Sequence, residues 1–121
     1  MPISEPVPPQ WSVVVLPFPY ADQLAEKRRP ALVISNHLLG SKIVWVAMIT
    51  SAANQPWRDD IEIDDLQSAG LPAPSVIRPA KIATIDVDRI ERIAGTVSGA
   101  IAARTLNALS RFLDDPATTP V

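Results

Sequence analysis

Proline decides which parts of this chain can be helix. It occurs 13 times in 121 residues. Because it lacks a backbone N–H and clashes with the preceding turn, it ends or kinks a helix wherever it falls inside one. Four of the first ten residues, MPISEPVPPQ, are proline, so residues 1–10 read as a flexible lead-in. The closing DDPATTPV reads the same way, with 116–121 as a tail and one ordered domain over 11–115. That length suits a single domain burying roughly 65–70% of its unfolded surface.

Between the prolines, β-branched runs dominate. WSVVVLPF (Trp11 to Phe18) predicts a strand that Pro17 and Pro19 end or confine to an edge. PALVIS (Pro30 to Ser35) predicts a second strand, with proline at its tolerated first position. KIVWVAMIT (Lys42 to Thr50) predicts a long third one. IEI at Ile61 to Ile63 alternates apolar and acidic residues, as a half-buried strand does. PSVIRPAKIATI predicts two short strands broken at Pro79, and DRIERIAGTV suits either a strand or a helical turn. Only GAIAARTLNALSRFL (Gly99 to Leu113) predicts a substantial helix, with Ser98 as N-cap and Ala102, Leu106, Leu109 and Leu113 on one face. The expected architecture is mostly β within the α+β class: a small, strongly bent antiparallel sheet or barrel with the C-terminal amphipathic helix laid on it.

Several chemistries are closed to such a chain. It has no cysteine and a single histidine, so thiolate zinc sites, multi-histidine metal sites and Cys–His pairs cannot be built. No apolar run reaches the ~18 residues of a membrane span, and the N-terminus lacks the basic start and apolar middle of a signal peptide. A soluble, cytoplasmic protein without cofactor or metal is expected. The net charge of −2 weakly disfavours a general nucleic-acid binder. Its distribution matters more: Lys27, Arg28, Arg29, Arg78 and Lys81 could form a local basic patch. RDDIEIDD (Arg58 to Asp65) gathers five acids, which the solvent face of a strand explains more simply than a cation site does.

The cations lead into the most apolar part of the chain, in EKRRPALVISN. Read from the residues alone, they are either a solvated edge device or groups placed to hold an anion. An RNA-cleaving site can work without metal when the ribose 2′-OH attacks its own phosphate. It then needs a proton acceptor, a donor to the leaving oxygen and positive charge on the phosphorane. Arginine suits the last role, since its planar fork stays charged and bonds two phosphate oxygens. Arg29, fixed to Pro30 at the head of a strand, has a rigid address for it. His37, in a turn, is the side chain whose ordinary pKa suits base work near neutrality. Trp57 follows a polar loop and could stack an unpaired base, whereas Trp45 is expected in the core or at an interface.

Three segments taken in order, VVVLPFPYADQLAEKRRPALVISN, VAMITS and GLPAPSVIRPAKIATID, resemble the PemK/MazF family of toxin endoribonucleases. The resemblance spans about residues 11–113. It implies an SH3-like barrel of the CcdB/PemK type with a C-terminal helix. It further implies a homodimer, metal-independent cleavage of single-stranded RNA and a cognate antitoxin as partner. The family's catalytic arginine falls on Arg29, its threonine or serine on Thr50, and a secondary arginine on Arg78. Lys27, Arg28, Ser51, Trp57 and Lys81 would line the RNA path, and Glu26 or His37 would be the available base. The sequence departs from the family at Trp11-Ser12, where Gly-Asp is common, at Ala25 for a loop glycine, and at Ala80 for an acid. Two other readings use the same scaffold: a gyrase poison like CcdB that cleaves nothing, and an inactive member that only binds antitoxin.

Overall fold

The computed structural model describes residues 7–17 and 27–114. Within them the order is β1 (Ser12–Pro17), β2 (Arg28–Val33), β3 (Ile43–Ser51), β4 (Ile61–Glu62), α1 (Leu66–Ala69), β5 (Ser75–Asp86), β6 (Arg92–Thr96) and α2 (Gly99–Asp114), with a 3-10 turn at Val87–Arg89. The strands form one six-stranded sheet in the order β4-β5-β3-β2-β1-β6, every pair antiparallel. Register shifts in the β1–β6 and β3–β5 ladders mark bulges, which bend and twist a sheet. The result is a curled half-barrel.

Side chains alternate across a strand, and both faces of this sheet are apolar. Val13, Leu32, Ala47, Ile49, Ile61 and Ile77 line the face covered by Ile101 and Ala108 of α2 and Ala69 of α1. Val14, Leu16, Ala31, Val33, Val44, Val46, Met48 and Ile85 cluster on the other. This two-sided burial explains why the first three strands read as nearly unbroken apolar runs. Among the described residues no helix is long and apolar enough to cross a membrane.

Three sequence expectations need correction and one open reading is resolved. The segment around Pro79 is one strand, β5, not two. Met48 pairs with Arg78 and Ala47 with Ile82, so Pro79, Ala80 and Lys81 fall in a bulge where the missing proline N–H costs no ladder bond. Residues 92–96, ambiguous in sequence, are strand β6. Helix α2 is capped as expected, Ile101 N–H donating to Ser98 Oγ at 3.2 Å, but its buried face is Ile101, Thr105 and Ala108. Leu106 and Leu113 are 52% and 86% exposed. Small residues let α2 approach the sheet closely, and the Thr105 hydroxyl is satisfied by the Ile101 carbonyl at 2.8 Å. The lead-in is packed over residues 7–10: Pro8 is buried, and Gln10 Nε2 donates to the Ile34 carbonyl at 3.0 Å. Its first six residues and the tail expected at 116–121 lie outside the described residues.

The one-turn α1 begins at Asp65, whose carboxylate accepts the Ser68 backbone N–H at 3.0 Å and the Ser68 hydroxyl at 2.7 Å. These bonds, the backbone one foremost, hold the Asp65 carboxyl below the ordinary value. A depressed folded-state pKa contributes stability above the unfolded value and loses it as pH falls through the folded one. Asp65→Asn keeps a capping acceptor. It is expected to lower stability modestly near neutrality, where the ionised carboxylate's contribution is lost, and to flatten the decline below about pH 4, measured as urea midpoints across that range.

Candidate RNA-cleavage site

Strand register brings the first two candidates together. Ala31 of β2 lies opposite Met48 of β3 at the end of their ladder, and that register, if carried two residues further, would set Arg29 opposite Thr50. Both then belong to the face that carries Ala31, Val33, Val46 and Met48, at the end where β2 begins and β3 stops. Arg29 is flanked on its other side by Leu16 of β1. Twenty residues lie between Arg29 and Thr50 in the β2–β3 hairpin, so nothing in the local sequence announces this meeting. Pairing alone makes it.

Thr50 is buried, and its Oγ1 accepts a hydrogen bond from Asn54 Nδ2 at 2.7 Å. Asn54 is held in turn by its backbone N–H on the Ser51 carbonyl at 3.1 Å. A threonine hydroxyl has one proton to give and two lone pairs. With Asn54 filling an acceptor position, the hydroxyl is oriented and its proton can be given to an incoming phosphate oxygen. Ser51 is exposed beside it, with Oγ accepting the Ala53 N–H at 3.1 Å.

Arg78 lies opposite Met48 on this same face, yet it serves the protein before it can serve a substrate. It is 6% exposed. Its Nε and Nη2 donate to the two oxygens of Asp60 at 3.0 and 2.9 Å, and Nη2 also donates to the Gln55 carbonyl at 3.0 Å. Three of the five guanidinium N–H groups are thereby committed. The pairing follows from register: Ile61 lies opposite Ile77, so Asp60 meets Arg78 one step on. Asp60 also accepts the Trp57 backbone N–H at 2.9 Å, and the Arg78 guanidinium lies 4.4 Å from the centre of the Trp57 ring. Lys81 Nζ is 5.8 Å from the same ring. Loop 51–60 is therefore a built structure around one buried ion pair.

The remaining candidates divide. Lys27 is exposed just before β2. Arg28, one residue from Arg29, faces the other way and donates from Nε to Glu91 at 2.6 Å in an exposed pair. Glu26 lies outside the described residues. His37 is exposed in the β2–β3 turn, at the opposite end of the hairpin from Arg29. Eight residues at ~3.3 Å each put it roughly 26 Å away along the strand, so it cannot be the base for a site at Arg29 of its own chain. Trp45, expected in the core or at an interface, is 45% exposed.

The acidic run also resolves residue by residue. Asp59 accepts from Arg111 at 2.8 Å and Asp60 from Arg78. Glu62 is exposed on β4, Asp64 accepts from the Ser98 hydroxyl, and Asp65 caps α1. One of these, Asp60 with its ion pair, belongs to the site together with loop residue Asn54, and both were missed in the sequence. Asn54 carried a weak signal, standing four residues after Thr50 in a polar turn. Asp60 carried none, because its partner is 18 residues away.

Residues 9–113 match the family described as PemK-like, MazF-like toxins of type II toxin–antitoxin systems. The chain belongs to the PemK/MazF family. Solved structures agree in fold. The chain is similar to the Mycobacterium tuberculosis toxin MazF-mt6, with TM-score 0.66, 22% identity and coverage of 85% of this chain and 96% of that one. It is similar to MazF from Deinococcus radiodurans at TM-score 0.72 and 19% identity, covering 90% and 98%. A mycobacterial endoribonuclease solved with its cognate antitoxin matches at TM-score 0.69 and 18% identity, covering 90% and 97%. Among curated proteins, none matches the sequence significantly. The family's sequence pattern thus lies on a sheet whose alternation puts Arg29 and Thr50 on one face.

Proposed function

We propose that this PemK/MazF toxin is a metal-independent endoribonuclease that cuts single-stranded RNA at short sequences. The observation that carries the reading is the juxtaposition of Arg29 and Thr50 on one sheet face, the threonine hydroxyl oriented by Asn54. The scissile phosphate sits between them. The 2′-oxygen loses its proton to a base and attacks phosphorus, and the 5′-oxygen leaves with a proton. The products are a 2′,3′-cyclic phosphate and a 5′-hydroxyl. Arg29 places positive charge on the phosphorane oxygens, where charge builds up in the transition state. Thr50 donates its hydroxyl proton to one of them. Lys27, Ser51, Trp57 and Lys81 flank the path of the RNA strand, and Arg28 is held to its rim by Glu91.

The natural restraint on such a toxin is a cognate antitoxin, in line with the mycobacterial relative solved in that complex. A homodimer fits the exposed Leu106, Phe112 and Leu113 of α2, apolar surface that a second copy can cover. The cytoplasm, where mRNA is found, is the compartment this reading assigns.

The test is to incubate the purified protein with a long single-stranded RNA in EDTA and map the ends by primer extension. Discrete cuts with 5′-hydroxyl ends are expected. Intact RNA from folded, antitoxin-free protein would overturn the reading in favour of a non-cleaving toxin.

A further inference from the structure

Loop 51–60 holds an aromatic ring in a way that a solvent-exposed loop does not require. Trp57 is 44% exposed, whereas Arg78, stacked at 4.4 Å from its centre, is 6% exposed. A buried cation is thus packed against the ring while a large part of the Trp57 surface stays open. Beside that guanidinium Asp60 closes a bidentate pair whose two side chains are 8% and 10% exposed. Asp60 binds the Trp57 N–H, and its own N–H donates to the Trp57 carbonyl at 3.2 Å. Indole, guanidinium and carboxylate form one connected unit. The same loop supplies Asn54 to Thr50, which ties it to the cleavage position.

We propose that the exposed surface of the Trp57 ring is a preformed stacking subsite for one unpaired base of the RNA. On this proposal Asp60 is the positioning residue that holds it through Arg78. The inference rests on the ribonuclease reading and deepens it by naming a group that chooses where the strand is cut. A ring already fixed against Arg78 loses little freedom when a base lands on it, and so binds more tightly than a free loop tryptophan. Lys81, 5.8 Å from the ring, brings positive charge to the phosphate next to that base. Stacking itself reads no hydrogen-bond pattern. The subsite therefore favours bases by how well they stack, purines over pyrimidines, at one position at a set distance from the cut.

Trp57→Ala is expected to raise KM for a short RNA spanning a mapped cut site by about 5- to 150-fold, the range for losing one stacked base. It should leave kcat within about 2-fold, since the ring does not touch the reacting phosphate. Trp57→Phe should recover most of the loss. Binding of the same RNA with 2′-O-methyl riboses, which cannot be cut, should quench wild-type tryptophan fluorescence, and the quench should be missing in Trp57→Phe. Asp60→Asn should show the same KM-side defect and shift the distribution of cut sites with Trp57 still present. If Asp60→Asn does not fold, Arg78→Lys loosens the pair from the other side with the charge kept.

Unchanged KM, cut sites and binding in Trp57→Ala would overturn the subsite. Wild-type behaviour in a folded Asp60→Asn or Arg78→Lys would overturn the positioning role. If the wild type leaves RNA intact but 2′-O-methyl RNA still quenches Trp57, the cleavage reading fails and the subsite stands. Cutting that ignores Trp57→Ala means the reverse.

Discussion

Arg29→Ala is expected to lower the rate of RNA cleavage by about 10²- to 10³-fold, the cost of removing one preorganised group that stabilises transition-state charge. The fold should survive, because Arg29 stands at the head of β2 outside both apolar clusters. Arg29→Lys should recover only part of the rate, since an ammonium keeps the charge but not the fork that bonds two phosphate oxygens. Single-turnover cleavage in EDTA measures the effect, with a thermal melt as the control for folding. The loss should appear in the rate at saturating RNA more than in KM, unlike the Trp57 variants, because phosphorane charge exists only in the transition state. Arg29→Ala protein that cuts as fast as wild type would remove Arg29 from the phosphate site.

Gly95→Ala is expected to cost about 3 kcal/mol or more, the upper part of the range for overpacking. A Cβ at this position would meet the Ser68 carbonyl oxygen at 2.1 Å and Ala69 backbone carbon at 2.6 Å. Neither atom belongs to a side chain that can swing aside, so α1 must lift from β6. Gly70 makes the converse contact, its position facing the Ala94 carbonyl oxygen at 2.2 Å while its φ is +74°. At roughly 4–8 °C per kcal/mol for a domain of this size, the melting temperature should fall by more than about 10 °C. Gly40→Ala is the comparison: its φ is +65° but nothing lies within 4 Å, so only the backbone term applies, about 1–2 kcal/mol. Equal melting temperatures for the two variants would show that packing of α1 on β6 is not what Gly95 protects.

Much of the fold could be read in advance because its causes are local. Pro30 permits a strand start and no more, the Val and Ile runs favour pleated structure buried on both sides, and Ser98 caps the one long proline-free amphipathic segment. The errors came where a neighbour overrides local preference. Pro79 reads as a break, yet a bulge opposite Met48 carries β5 through it. Leu106 and Leu113 read as core, yet the close approach of α2 to the sheet is made by Thr105 and Ala108. His37 had the right chemistry for a base and the wrong end of the hairpin.

The site divides the same way. Residue chemistry and the order of three motifs were enough to nominate Arg29, Thr50 and Trp57, because arginine, a hydroxyl and an indole suit phosphate and base whatever the fold. They could not say that Arg78 is spent on Asp60, that Asn54 aims the Thr50 hydroxyl, or that Arg28 and Arg29 part company. The Asn54 contact depends on how the loop after β3 turns back, and the others on strand register, where one residue of slip moves every side chain to the other face. The amino-acid sequence by itself determined the strands, the helix and the kinds of chemistry within reach. Tertiary structure alone decided which side chains meet, because hydrogen-bonded pairing sets neighbours across strands that sequence separates by tens of residues.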